Sequence, residues 1–329
     1  MLDAFAFTRP DLEAAAALVH ERMAPTPAYA WPLVARRAGT EVWIKHENHT
    51  PTGAFKIRGG IVYMNELMAG AAGSGLRGVI TATRGNHGQS IARAAHAAGL
   101  EATILVPHGN SVEKNAAMQA FGARLIEHGR DFDEAKHEAA RLAEAEGLHM
   151  VPSFHPALVK GVSTYALELF GAAGELDAVY VPIGMGSGIC GLMAARDALG
   201  LKTEIVGVVA EAAPSVALSF EAGRPVPTNA AATFADGMAC REPHPEAVQL
   251  ICRGAGAVVK VSENEIAEAM RHLFEDTHNI AEGAGAAALA ALLKDGRRRR
   301  GQRLGAILSG GNVDRPVYAE VLGGGTPRP

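Results

Sequence analysis

"AVYVPIGMGSGICGLMAARDALG", residues 178–200, runs from an apolar, β-branched stretch through glycines at 184, 186 and 188 into an alanine- and leucine-bearing helical pattern. A strand that hands the chain through a glycine turn to a helix is the building unit of a helix-covered parallel sheet. Glycines at alternate positions let successive backbone N–H groups converge, and the helix dipole adds partial positive charge. An anion such as phosphate is therefore expected on Gly184, Met185, Gly186, Ser187 and Gly188. Gly186, Gly188 and Gly191 also spell GxGxxG, with Glu211 near the end of the next strand, so a dinucleotide site stays open at this point.

The same alternation extends outward in both directions. Short apolar runs such as "EVWIKHE", "GVITAT", "ATILVP", "EIVGVVA" and "RLGAILS" are separated by alanine-rich helical patterns. "DFDEAKHEAARLAEAEG" spaces Phe132, Ala135, Ala139 and Leu142 as an amphipathic helix requires, and Ser262 with Glu265 forms a capping box. The fold class expected is α/β, with two lobes, each a mostly parallel twisted sheet covered by helices. "AGAAGSG" at 69–75 reads as a linker, and "VPSFHP" at 151–156 is broken by prolines. These points bound a small domain, 70–152, inserted into a large domain made of 1–69 and 153–329.

Composition excludes several partners. In 329 residues the net charge is -4 and charged residues make up 20%, so nothing recruits nucleic acid. No apolar stretch reaches transmembrane length. Cys190, Cys240 and Cys252 are scattered without CxxC spacing, and the opening residues lack a basic segment ahead of an apolar core, so the cytoplasm is expected. "KDGRRRRGQR", 294–303, fits the cationic end of a helix and a solvated loop.

Two further strand-to-helix segments carry chemistry-bearing residues. "GVITATRGNHGQSIARAAHAAG", 78–99, sets Thr83, Arg84, Gly85, Asn86 and His87 at a strand end, where ligands of open parallel sheets collect. The Asn86 amide can both donate and accept toward a ligand, and capping the following helix is the alternative. "RLGAILSGGNVD", 303–314, ends on Ser309, whose hydroxyl can bond a ring nitrogen without charge or simply serve a turn. Lys56 in "PTGAFKIRGG", 51–60, stands beside Phe55 between a turn and a helix start. Sheltered from water, such a lysine becomes a base or nucleophile at neutral pH. One cofactor accounts for lysine, phosphate cradle, asparagine loop and serine together: pyridoxal phosphate held as a Schiff base.

Six segments in order resemble the serine/threonine dehydratase and serine racemase family of fold type II pyridoxal-phosphate enzymes: "KHENHTPTGAFKIRGG", "GNHGQS", "GMGSG", "FADG", "AEGAGAAALAAL" and "LSGGN". The resemblance implies a tryptophan synthase β-like fold and a dimer. It implies that Lys56 carries the cofactor and removes the Cα proton, with Phe55 against the ring and Asn86 on the 3-hydroxyl oxygen. The 184–188 loop would take the phosphate, with Met185 in place of a frequent glycine, and Ser309 would face the ring nitrogen. Substrate would meet Thr83, Arg84, Gly85, Asn86 and His87. Glu282 would approach the ring, although its pattern alone reads as a helix-start acid.

The reaction implied is loss of water and ammonia from a 3-hydroxy amino acid such as threonine or serine, leaving a 2-oxo acid. Alternatives are 3-hydroxyaspartate, an aromatic 3-hydroxy amino acid, or capture of the intermediate by a second nucleophile. From other classes come a nicotinamide-dependent oxidoreductase using GSGICG and a silent binding protein. Arg84 stands where the racemase has its second acid/base serine; it is read either as a bidentate carboxylate ligand or as a structural arginine. Ser215 and Ala217 stand where the family's divalent cation site wants a carboxylate, so no metal is expected. The short stretch after "LSGGNVD" leads to the expectation of a catabolic type without a regulatory domain.

Overall fold

A computed structural model describes residues 2–70 and 75–328, apart from the side chain of Arg297. Residues 71–74 of the expected linker lie outside that set. The strands in chain order are β1 (Ala28–Ala30), β2 (Glu41–His46), β3 (Gly78–Ala82), β4 (Glu101–Val106), β5 (Arg124–Glu127), β6 (His149–Met150), β7 (Ala178–Pro182), β8 (Glu204–Ala210), β9 (Ala257–Val261) and β10 (Arg303–Leu308). Among the described residues they form a six-stranded sheet ordered β1-β2-β10-β7-β8-β9 and a four-stranded sheet ordered β5-β4-β3-β6. Every pairing is parallel except that of β1 with β2.

Both faces of the larger sheet are buried, which explains why its strands read as unbroken apolar runs. In β7, Ala178 and Tyr180 enter one core while Val179 and Val181 enter the core on the opposite face. The smaller sheet repeats the arrangement, with Val79 on one side of β3 and Ile80 and Ala82 on the other. Helix Phe132–Glu146 buries Ala135 and Ala139, and Ser262 and Glu265 close both halves of the capping box.

Helix Lys56–Ala69 is held at closer range than side-chain packing allows. It crosses helix Pro156–Ala173 where Gly59 meets Gly161: a Cβ on Gly161 would collide with the Arg58 carbonyl oxygen and lie 2.8 Å from the Gly59 Cα. A Cβ on Gly59 would stand 2.8 Å from the Leu158 carbonyl oxygen. Beneath this crossing lies a buried ionic cluster. The fully buried Arg58 guanidinium donates to Glu47 at 2.7 and 3.0 Å, to Glu168 at 2.6 and 2.8 Å, and to Thr164 at 3.0 Å. Lys45 adds a bond to the Thr26 carbonyl oxygen at 2.6 Å. Burial by itself would raise the Glu168 pKa, but Arg58 and Lys45 outweigh it and hold the group at about 2.

Gly161→Ala forces the two helices apart at the point where their backbones touch. Overpacking of this kind costs about 1–3 kcal/mol. The expected outcome is a melting temperature lower by several degrees; an unchanged melting curve would show that the crossing has slack.

Candidate active site

The carboxyl ends of β2, β3, β7 and β10 deliver four loops to one cleft between the sheets, lined by Phe55, Lys56, residues 83–87, residues 184–188, Asp236, Glu282 and Ser309. The residues that the resemblance assigns to the cofactor and the substrate therefore meet in one place. Position along the cleft follows from backbone pairing. The Phe55 N–H donates to the Ser309 carbonyl oxygen at 3.0 Å, and that of Gly311 to the Gly53 carbonyl oxygen at 2.9 Å. Lys56 is thereby tied to the end of β10. Its Nζ donates to Ser187 Oγ at 2.9 Å and stands 4.9 Å from the centroid of the Phe55 ring. The walls strip water from the ammonium, and that burial lowers its pKa to about 8.

At Gly184 and Gly186 the backbone has no room for a side chain. A Cβ on Gly184 would strike the Gly237 carbonyl oxygen, and Gly186 has a φ of 101°, a conformation in which a Cβ would lie 2.8 Å from that of Ala247. Helix Ser187–Ala198 starts here with no side-chain cap, leaving its first-turn N–H groups to the cleft. Cys240 donates from Sγ to Met185 Sδ at 3.7 Å, so Met185 contributes its backbone to the loop while its thioether packs against the wall. An amine of lowered pKa, a ring of backbone donors, an amide and a neutral hydroxyl fit the functional groups of pyridoxal phosphate.

The asparagine loop is braced across the two sheets. Asn86 Nδ2 donates to Glu282 Oε1 at 2.6 Å, and Asn86 Oδ1 accepts from Asn312 Nδ2 at 2.9 Å. The cap of helix Asn86–Ala97 is Gly85, without a side-chain bond, so the alternative of Asn86 as a cap is set aside. The Thr83 hydroxyl accepts from Gly85 N at 2.9 Å and Gly88 N at 3.3 Å, which makes it a brace for the loop. His87 is buried with no hydrogen-bond partner on Nε2; burial, then the nearby Lys56, lower its pKa to about 3 and keep it neutral. Arg84 lines the cleft beside them.

Glu282 is more than a helix-start acid. It is buried, and Lys114 bonds it at 3.0 Å while also reaching both Asp236 oxygens at 2.9 and 2.7 Å. Burial alone would lower the Lys114 pKa, but Asp236 and Glu282 reverse this and raise it. Burial raises that of Glu282, with Lys114 opposing. Lys114 carried no sequence signal at all, lying in the first turn of helix Val112–Ala120 in an ordinary amphipathic stretch. The dinucleotide reading finds no support: Glu211 is exposed, and its nearest cation is Lys294 at 3.7 Å. His155 caps helix Pro156–Ala173 by accepting from Ala157 N at 3.2 Å.

The family described as "Pyridoxal-phosphate dependent enzyme" matches residues 19–310, and the chain belongs to it. Its fold is that of the fold type II members. The chain is similar to the biosynthetic L-threonine dehydratase of Salmonella typhimurium, 34% identical over 299 residues, covering 90% of this chain and 58% of that protein. The chain thus spans little more than half the length of that relative. It is also similar to the L-threo-3-hydroxyaspartate ammonia-lyase of a Pseudomonas species, 34% identical over 300 residues, covering 91% and 93% respectively. Among solved structures, maize serine racemase superposes with a TM-score of 0.88 at 26% identity, covering 97% of this chain and 98% of that one.

Lys114→Met leaves Asp236 and Glu282 together without their cation. Breaking a buried pair in this way costs about 3–5 kcal/mol. A Glu282 carboxyl with a pKa raised in the folded state binds more protons folded than unfolded, so stability lost at neutral pH is recovered as the pH falls toward the ordinary carboxylate range. Urea unfolding of the variant at several pH values checks this; a loss that does not vary with pH contradicts the assignment.

Proposed function

We propose that the protein catalyses α,β-elimination on a 3-hydroxy amino acid of the threonine or serine type, yielding a 2-oxo acid and ammonia. The observation that carries this reading is the Lys56 amine, with a pKa of about 8, in one cleft with an uncapped glycine loop and a neutral Ser309 hydroxyl. The relatives named threonine dehydratase and hydroxyaspartate ammonia-lyase support it.

When bound, pyridoxal phosphate supplies a carbonyl that condenses with amines and a conjugated ring that delocalises charge from Cα. Each chain residue then has a role that its position supports. Lys56 Nζ accepts the Cα proton, and a pKa of about 8 leaves a useful fraction of neutral amine near neutrality. The N–H groups of the 184–188 loop hold the phosphate. Asn86, oriented by Glu282 and Asn312, would hold the ring's 3-oxygen. Ser309 would offer the ring nitrogen a neutral hydroxyl, where a carboxylate would hold that nitrogen protonated, and this favours elimination over transamination. Thr83, Gly85 and His87 shape the substrate loop.

The division into a large domain, 1–69 and 153–329, and a small domain, 70–152, is supported by a four-stranded sheet whose strands all fall between Gly78 and Met150. We also read the chain as a homodimer. Tyr29 on β1 and Ile280 are about half exposed, and His49 Nε2 is 2.7 Å from Oδ1 of Asn279, the residue next to Ile280. No described helix is long and apolar enough to cross a membrane, and three free cysteines accord with a reducing, cytoplasmic setting.

Lys56→Ala is expected to lower 2-oxo acid formation from threonine or serine by at least ~10²–10⁴, the usual contribution of a positioned base. Substantial ammonia release by the purified variant would refute the role. In protein stripped of cofactor, competitive acylation should give Lys56 an apparent pKa of about 8. Reactivity then saturates above that pH and declines below it as the amine protonates; titration near the ordinary lysine value would mean that the cleft does not desolvate the amine.

A further inference from the structure

We infer that Arg84 binds a second substrate carboxylate, one carried on the β-carbon, so that the preferred substrates are dicarboxylic 3-hydroxy amino acids. This rests on the elimination reading above and narrows its substrate class.

Three cations line the cleft: Lys56, Arg84 and Lys114. Lys114 is neutralised by Asp236 and Glu282, and Lys56 is given over to the chemistry. Arg84 is half-buried. Among the described residues, no carboxylate oxygen lies within 4.0 Å of its guanidinium, and none of its N–H groups has an acceptor. A guanidinium held in a cleft without a partner sacrifices hydration for nothing unless a ligand completes it, and its planar fork suits a carboxylate.

The substrate's α-carboxylate has another place to go. The N–H groups of Asn86 and His87 open a helix that lacks a side-chain cap, and neither finds an acceptor among the described residues, whereas those of Gly85 and Gly88 are held by Thr83. Arg84 is therefore left over after the α-carboxylate is bound. It also borders a second, outer cavity that shares Phe132, Met185, Ala239 and Cys240 with the first. In that outer cavity Arg241 is already paired with Asp133. A side chain that leaves Cβ toward the outer cavity meets Arg84, while the methyl of threonine or the hydrogen of serine would leave the guanidinium empty.

The chemistry balances for such a substrate. L-threo-3-hydroxyaspartate loses its Cα proton and 3-hydroxyl as one water, the resulting enamine becomes an imine, and a water taken up in hydrolysis leaves oxaloacetate and ammonia.

The test uses purified holoenzyme, wild type and with Arg84→Ala, Arg84→Gln and Arg84→Lys, of which the last keeps the charge should truncation impair folding. The ratio of kcat/KM for L-threo-3-hydroxyaspartate to that for L-threonine should fall by ~10²-fold or more in the neutral variants, the usual effect of truncating one partner of a desolvated charge pair, and less in the lysine variant. Binding is read separately by calorimetry with L-aspartate and L-2-aminobutyrate, which lack the leaving hydroxyl. Wild type should bind L-aspartate more tightly, and the difference should vanish in Arg84→Ala. If both ratios stay unchanged across the variants, or an aromatic 3-hydroxy amino acid is the better wild-type substrate, the inference is overturned. If no 3-hydroxy amino acid releases ammonia but the aspartate preference is present and depends on Arg84, the elimination reading fails and the carboxylate site stands.

Discussion

A guanidinium in the core two residues beyond Lys56 constrains everything around it. Arg58 has no exposed surface, and an unpaired charge there would be prohibitively costly. Its cost is offset only if Glu47 after β2, Glu168 and Thr164 on helix Pro156–Ala173, and Thr26 before β1 all converge on it. The cluster thus joins an edge of the large sheet to two helices, and it fixes the axial position and rotation of helix Lys56–Ala69. Replacing such a cluster by apolar groups is often neutral for stability in other proteins, so its contribution here is read as geometric. The backbone-to-backbone crossing at Gly59 and Gly161 acts in the same sense, since neither contact survives a sliding or rolling of that helix.

A second charged cluster does for the cleft what the first does for the core. Lys114 comes from the segment that contains the small sheet, Asp236 and Glu282 from the segment that builds the large one, and Asn86 and Asn312 extend the chain of bonds to both loops. These carboxylates bond to Lys114 and not to Lys56, whose Nζ donates to Ser187. Desolvation then acts on that amine nearly unopposed, in keeping with a lowered pKa whose sole resolved cause is burial. The neutral His87 ring next to it adds no charge of its own.

The sequence made legible whatever depends on local periodicity and turn chemistry. The β7 segment with its glycine loop, the stripe of helix Phe132–Glu146 and the capping box at Ser262 are set by neighbours a few residues apart, and they stand where their patterns put them. The loops bearing Lys56, Asn86 and Ser309 were likewise readable, because strand ends in parallel sheets face one edge. Partners brought together over long chain separations were not. Arg58 and Glu168 are 110 residues apart, and Lys114 and Glu282 are 168 apart. Nothing in the vicinity of either residue distinguishes a buried ion pair from solvated charges on a helix face. Glu282 illustrates the limit: its place at a helix start suggested a dipole partner, while its burial and its cation are properties of the tertiary fold.

The two clusters also separate reactivity from selectivity. Lys56, Ser187 and Ser309 sit on helix starts and a strand end whose positions are fixed by backbone pairing and by the buried Arg58 cluster, so their geometry tolerates little change. Arg84 sits two residues ahead of the first residue of helix Asn86–Ala97, and among the described residues no group within bonding distance determines where its guanidinium points. Exchanging that side chain alters what the outer end of the cleft presents without moving Thr83, Gly85 or Asn86, each of which is held by its own bonds. Under the elimination proposed above, a scaffold built this way would keep its chemistry while the single residue at the loop entrance would be where selection by side-chain charge acts.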